Sequence, residues 1–122
     1  MIYSIGTGCR IKKGGNMMED IIFELIANGG NAKSLSYEAI MESEKGNYDH
    51  AEELLKEADE YLKIAHNLQS SIITDEVNGK HIQVSVLFVH AQDQLMTTME
   101  VRSLAERFIH LNKKVNQLLE RE

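Results

Sequence analysis

The chain has 122 residues, 43% hydrophobic and 26% charged, with one cysteine and neither proline nor tryptophan. That length supports one core and one domain, and a lone cysteine excludes an internal disulfide or a zinc-finger set. Thirteen bases against nineteen acids, a formal charge of -6, argue against a nucleic-acid groove. The longest apolar run, Val86-Leu87-Phe88-Val89, falls far short of the roughly 18–20 residues of a membrane span, so a cytoplasmic domain without membrane insertion is expected.

Residues 1–16 hold three of the bases, no acid, four of the eight glycines and the cysteine. No hydrophobic segment of about 7–15 residues follows the bases, so this is no secretory signal. Residues 1–17 are expected to be a disordered or non-native tail, with Met17 and Met18 both available as starts. The domain proper spans 18–122. Removing 1–17 leaves ten bases and nineteen acids, a charge of -9.

From Met18 to about Lys45, Ile22, Leu25, Gly29, Ala32, Ser36 and Ala39 recur at spacings of three and four, the stripe of an amphipathic helix. Gly29 and Gly30 each cost about 1 kcal/mol against alanine in a helix. Their place amid small residues points to the close approach of another helix. Gly46-Asn47 supplies a C-cap and a new N-cap. A second helix runs from Asn47 to about Thr74 on Ala51, Leu54, Ala58, Tyr61, Ala65, Leu68 and Ile72, with a charged opposite face. Asp75 to Lys80, with its Asn-Gly pair, reads as a loop.

The third segment opens ambiguously, because Ile82, Val84, Val86 and Phe88 alternate like a strand. A lone strand would have no partner, and from Leu87 a helical stripe follows: Ala91, Gln94, Thr98, Val101, Ala105, Phe108, Asn112, Val115 and Leu119. Three long helices with short connections predict an all-α, antiparallel three-helix bundle. At about 100° per residue, the first half of this third helix is apolar on every side. A helix buried all round needs more than its own subunit, so an oligomer built around it is expected.

Into those apolar surroundings the sequence places His90 and Asp93, three residues apart along one side. A buried carboxylate requires a cation, a hydrogen-bond partner or a raised pKa. Near an oligomer axis Asp93 would meet its own copies, where a divalent ion is one solution and a structural His90–Asp93 pair is the other. No Glu precedes a His by three, and there is no HExxH, GxSxG or P-loop. His50, His81 and His110 read as surface residues, and His66 as a boundary histidine near Gln69. His90 remains, and neutral imidazole is a good nucleophile near pH 7.

At Val89-His90-Ala91-Gln92-Asp93-Gln94-Leu95-Met96-Thr97 the chain resembles the IIA component of the lactose/cellobiose (chitobiose) branch of the bacterial sugar phosphotransferase system. Gly30-Asn31-Ala32-Lys33-Ser34, Gly46-Asn47-Tyr48 and Ala65-His66-Asn67-Leu68-Gln69 extend the resemblance over residues 18–119. It implies a homotrimer in which His90 accepts phosphate from phospho-HPr and passes it to a cysteine of the cognate IIB component. It also implies that Asp93 faces its symmetry mates on the trimer axis, where one Mg2+ per trimer can be held. The family usually has a second histidine where this chain has Gln94, which can hydrogen-bond a phosphoryl oxygen but cannot titrate. Gln92 and Gln94 are the candidate phosphoryl donors. Two other classes compete: a non-catalytic trimeric adaptor, and a histidine phosphotransfer domain of a signalling relay. The latter is commonly monomeric and usually carries lysine where this chain has Asp93.

Overall fold

A computed structural model of the chain describes residues 17–121, so the expected tail, apart from Met17, lies outside the described residues. Three helices follow one another: α1 (Met17–Glu44), α2 (Tyr48–Val77) and α3 (Val86–Glu120). They run up, down and up, as the short connections require, and no strand occurs among the described residues. Met17, assigned to the tail on sequence, is the first residue of α1.

The seam of α1 is the one its periodicity predicts: Ile22, Leu25, Gly29, Ala32, Ser36 and Ala39 are all buried, and Ser43 extends the row. The two buried serines satisfy themselves within the helix, Ser36 Oγ donating to Ala32 O at 2.8 Å and Ser43 Oγ to Ile40 O at 2.7 Å. α1 packs along both neighbours, whereas α2 and α3 touch each other much less. The core divides into two clusters. The upper joins Ile22 and Leu25 to Ala65, Ile72, Phe88, Ala91 and Leu95. The lower joins Ala39 to Ala51, Leu54, Leu55, Ala105 and Ile109. A waist of small buried residues, Gly29, Ala32, Ser36, Ala58 and Thr98, lies between them.

Both turns end in the same way. Gly46 (φ 87°) receives the chain after α1 while Asn47 N donates to Glu42 O and Gly46 N to Ser43 O. Gly79 (φ 86°) does so after α2, with Lys80 N donating to Asp75 O and Gly79 N to Glu76 O. These are the paired bonds of a Schellman motif, whose left-handed residue favours glycine. The Asn-Gly pair therefore stops α2 three residues beyond Thr74, instead of sitting in a longer loop. Asn47 does not cap α2 with its side chain; its Nδ2 turns back to Glu42 Oε2 at 2.8 Å. Ahead of α3, the alternating residues Ile82 and Val84 lie in an extended connection, and only Ile82 packs on the core.

Two expectations about packing are corrected. An added Cβ at Gly29 would meet no atom within 4 Å, and at Gly30 only Gln94 Nε2 at 3.8 Å. The glycine pair is therefore not what lets the helices of one subunit approach. On α3 the buried residues are Phe88, Ala91, Leu95, Thr98, Ala105 and Ile109. Leu87, Phe108, Val115 and Leu119, assigned to the core stripe on sequence, are exposed. The sequence stripe mixes two adjacent rows, one turned into the subunit and one turned out of it.

Candidate functional site

The outward row of α3 is a second seven-residue repeat. Leu87, Gln94, Val101, Phe108 and Val115 are spaced by seven, and so are His90, Thr97, Leu104, Leu111 and Leu118. Together they form five a/d layers on a face that the subunit leaves largely open, with Leu104 54% and Leu118 62% exposed and Gln94 and Val101 half-buried. The upper layers carry the polar groups and the lower layers are apolar.

His90 stands on the second turn of α3, exposed. Ser85 caps this helix, its Oγ accepting the Phe88 N–H at 3.1 Å. Helical side chains lean toward the N-terminus, so His90 leans toward Val86, 89% exposed, and the first backbone N–H groups, which have no intrahelical acceptor. That end of a helix favours an anion. Asp93 lies one turn further on the same side and is also exposed. His90 and Asp93 form no ion pair among the described residues, so the structural pair is not made in one subunit.

Gln94 follows His90 by four residues and so adjoins it on the helix surface. Its carboxamide lies beside Gly30 of α1, and its Oε1 is buried without a hydrogen-bond partner. Gln92 is not brought to this side. Two residues from His90, it is about 200° away around the helix, facing α2, where its Oε1 accepts a hydrogen bond from Gln69 Nε2. No group of three His, Cys, Asp or Glu residues able to hold a metal occurs among the described residues. A hard dication takes six or more oxygens, so one subunit with its single carboxylate at Asp93 does not fit one; a symmetric assembly bringing several copies together would.

Two features escaped the sequence reading. Arg102 occupies a core-facing position, its Nε and Nη2 on Asp59 at 2.6 and 2.8 Å and its Nη1 on Glu106 at 2.7 Å. The hydrogen bonds to Asp59 raise its pKa above the ordinary guanidinium value. This fork links α2 to α3 where they otherwise touch little. It also takes the Glu106 carboxylate, one turn before His110. The second feature is Gln69, a polar residue on the buried face of α2, which carried no signal beyond its place near His66. Of the remaining histidines, His50 sits 3.4 Å from Glu42, while His66, His81 and His110 are exposed.

Residues 20–113 match the model of the family described as PTS system, Lactose/Cellobiose specific IIA subunit. The chain belongs to this family. It is 39% identical over 100 residues to the lichenan-specific phosphotransferase enzyme IIA component of Bacillus subtilis, covering 82% of this chain and 91% of that one. Against the lactose-specific EIIA component of Streptococcus mutans it is 40% identical over 92 residues, covering 75% and 88%. Among solved structures, the cellobiose-specific enzyme IIA from Bacillus anthracis superposes with a TM-score of 0.82 at 39% identity, covering 84% and 94%. The IIA(Chitobiose)–HPr complex of the Escherichia coli N,N'-diacetylchitobiose branch gives 0.69 at 31% identity, covering 84% and 99%. The IIA family is thus seen in the fold, and the subunit is a phosphotransferase-system component of the lactose/cellobiose class.

Proposed function

We propose that this IIA component is a cytoplasmic phosphocarrier: His90 accepts a phosphoryl group from phospho-HPr and passes it to a cysteine of the cognate IIB component during uptake of a β-glycoside. The observation that carries the reading is an exposed imidazole on the second turn of α3, close to the helix N-terminus, in a chain of the IIA family. A relative solved as a complex with HPr supports the choice of donor.

The chemistry is an in-line displacement governed by positioning and charge. A lone pair of the neutral imidazole attacks phosphorus as the bond to the donor breaks, and the reverse exchange hands the group to the acceptor thiolate. The helix N-terminus stabilises the negative oxygens. Gln94, its amide already beside Gly30, donates from one turn away.

The subunit works as a homotrimer. Five largely open a/d layers on α3 are the supporting feature: each large exposed apolar side chain gains up to about 1.5–3 kcal/mol on full burial, and a strict seven-residue repeat favours left-handed supercoiling with other copies. Gln92 faces away from its own His90, so as a phosphoryl donor it serves the histidine of another copy. Three Asp93 carboxylates gathered by the trimer would hold one Mg2+, which when bound offsets their mutual repulsion.

His90→Ala, incubated with the phospho-HPr generating system, tests the assignment. No phosphate uptake by a variant of unchanged mass and helicity is expected. Uptake at the normal level would sink it, and a variant that also supports normal sugar uptake would favour the adaptor reading.

A further inference from the structure

Gln69 is the polar residue among the buried residues of α2, only 9% exposed, between buried Ala65 and Ile72. Its carboxamide reaches across to α3, donating to Gln92 Oε1 and lying 3.7 Å from Met96 Sδ. A thioether accepts and never donates, so the group facing Met96 is the amide nitrogen of Gln69, and Gln92 must meet that donor with its oxygen. The amide of Gln92 is thereby oriented: its acceptor points inward and its –NH2 outward. That –NH2 has no protein partner among the described residues, yet it is not among the buried unpartnered atoms, so it reaches solvent. Exposed Val89 and Met96 flank it on α3.

We infer that Gln69 is a positioning residue of the phosphoryl site, turning the Gln92 –NH2 outward as a donor to phosphoryl oxygens. Left free, a glutamine amide presents oxygen or nitrogen with similar ease, and its oxygen would repel a phosphoryl group. Gln69 removes that choice without touching the reacting atoms. The inference rests on the phosphocarrier reading above, in which Gln92 serves the phosphohistidine of another copy.

Two substitutions separate positioning from simple packing. Gln69→Leu leaves the Gln92 amide free to turn. Gln69→Glu keeps a hydrogen bond across the helices but reverses it, because a carboxylate only accepts; Gln92 then points its –NH2 inward and its oxygen outward. Phosphate uptake from phospho-HPr is expected to be about tenfold slower for Gln69→Leu and about threefold slower again for Gln69→Glu. In a Gln92→Leu background neither change should slow it further, since both act through the same amide. Helicity and melting temperature are followed alongside, and the glutamate variant keeps the test decisive should the leucine variant fold poorly. A Gln69→Glu protein that transfers at the wild-type rate overturns the inference, as does a full Gln69 effect in the Gln92→Leu background. Wild-type protein that takes up no phosphate, or a His90→Ala variant that takes it up, overturns the phosphocarrier reading and this inference with it.

Discussion

The two ends of the bundle are built to different standards. At the lower end the buried and half-buried polar groups near the α1–α2 turn find partners: Asn112 donates to Ser43 Oγ at 2.8 Å, and Asn116 to Tyr48 Oη at 2.7 Å. Lys113 lies over the Tyr48 ring, 5.4 Å from its centroid. The adjoining outward layers of α3, Leu104 to Leu118, are apolar. At the upper end Gln94 keeps a buried unpaired oxygen and the outward layers hold His90, Gln94 and Thr97, while in the waist below Gly29 has room for a side chain it lacks. In the proposed phosphocarrier, the lower end serves stability and association, and the upper end gives some of both up for chemistry. Unsatisfied or strained groups in an otherwise well-packed fold tend to mark function.

The largest effect should come from breaking the lower seam. Leu104→Asp with Leu111→Asp removes two apolar contacts per chain and places carboxylates where copies meet, weakening association more than about a thousandfold. Sedimentation velocity should show the wild type at three times the 13.8 kDa chain mass and the variant at one. Thr97→Ala, in the upper seam, should leave that mass unchanged; if it also dissociates the protein, the two ends do not divide the work.

Within that monomeric background, Gln94→Leu should raise stability by about 1–3 kcal/mol, because an unpaired buried oxygen is lost. In the wild-type background the same change should slow phosphate uptake. A destabilised Gln94→Leu protein in urea titration would mean that its oxygen is satisfied after all. Smaller again is Gly29→Ala, expected to add about 1 kcal/mol by helix propensity alone. A lower melting temperature would show that a neighbouring copy occupies the space beside Gly29.

The smallest effect lies at the lower turn and depends on pH. The Glu42 carboxyl titrates below its ordinary 4.5, chiefly because the Asn47 amide donates to it, with Lys45 and His50 adding and burial opposing. Its folded pKa is depressed, so its contribution is complete above pH 4.5 and is lost as pH falls through the folded value. Glu42→Gln should flatten the acid limb of the stability curve below about pH 4.5 and leave pH 7 almost untouched. An unchanged acid limb would remove Glu42 from the account.

Much of this was legible in the residues themselves. The α1 seam follows from Ile22 to Ala39 position by position, because a helix buried on one face must repeat at three and four. His90 and Asp93 drew attention as ionisable groups in apolar surroundings. α3 was harder, since it carries two apolar rows side by side, one for its own subunit and one left uncovered. A stripe drawn through both takes Leu87, Phe108 and Val115 into the core when they face outward.

The sequence by itself determined three unbroken helices, and it carries the proposals that His90 is the phosphoryl acceptor and that the third helix meets other copies. Each is set by local spacing and by the chemistry of single side chains. Only the tertiary structure decided which way the side chains of α3 turn. It placed Gln92 against Gln69 and away from His90, left Gln94 unpaired beside Gly30, and forked Arg102 between Asp59 and Glu106. Those outcomes depend on how α3 is placed and rotated against α1 and α2 once the three have packed, a geometry that no spacing within one helix contains.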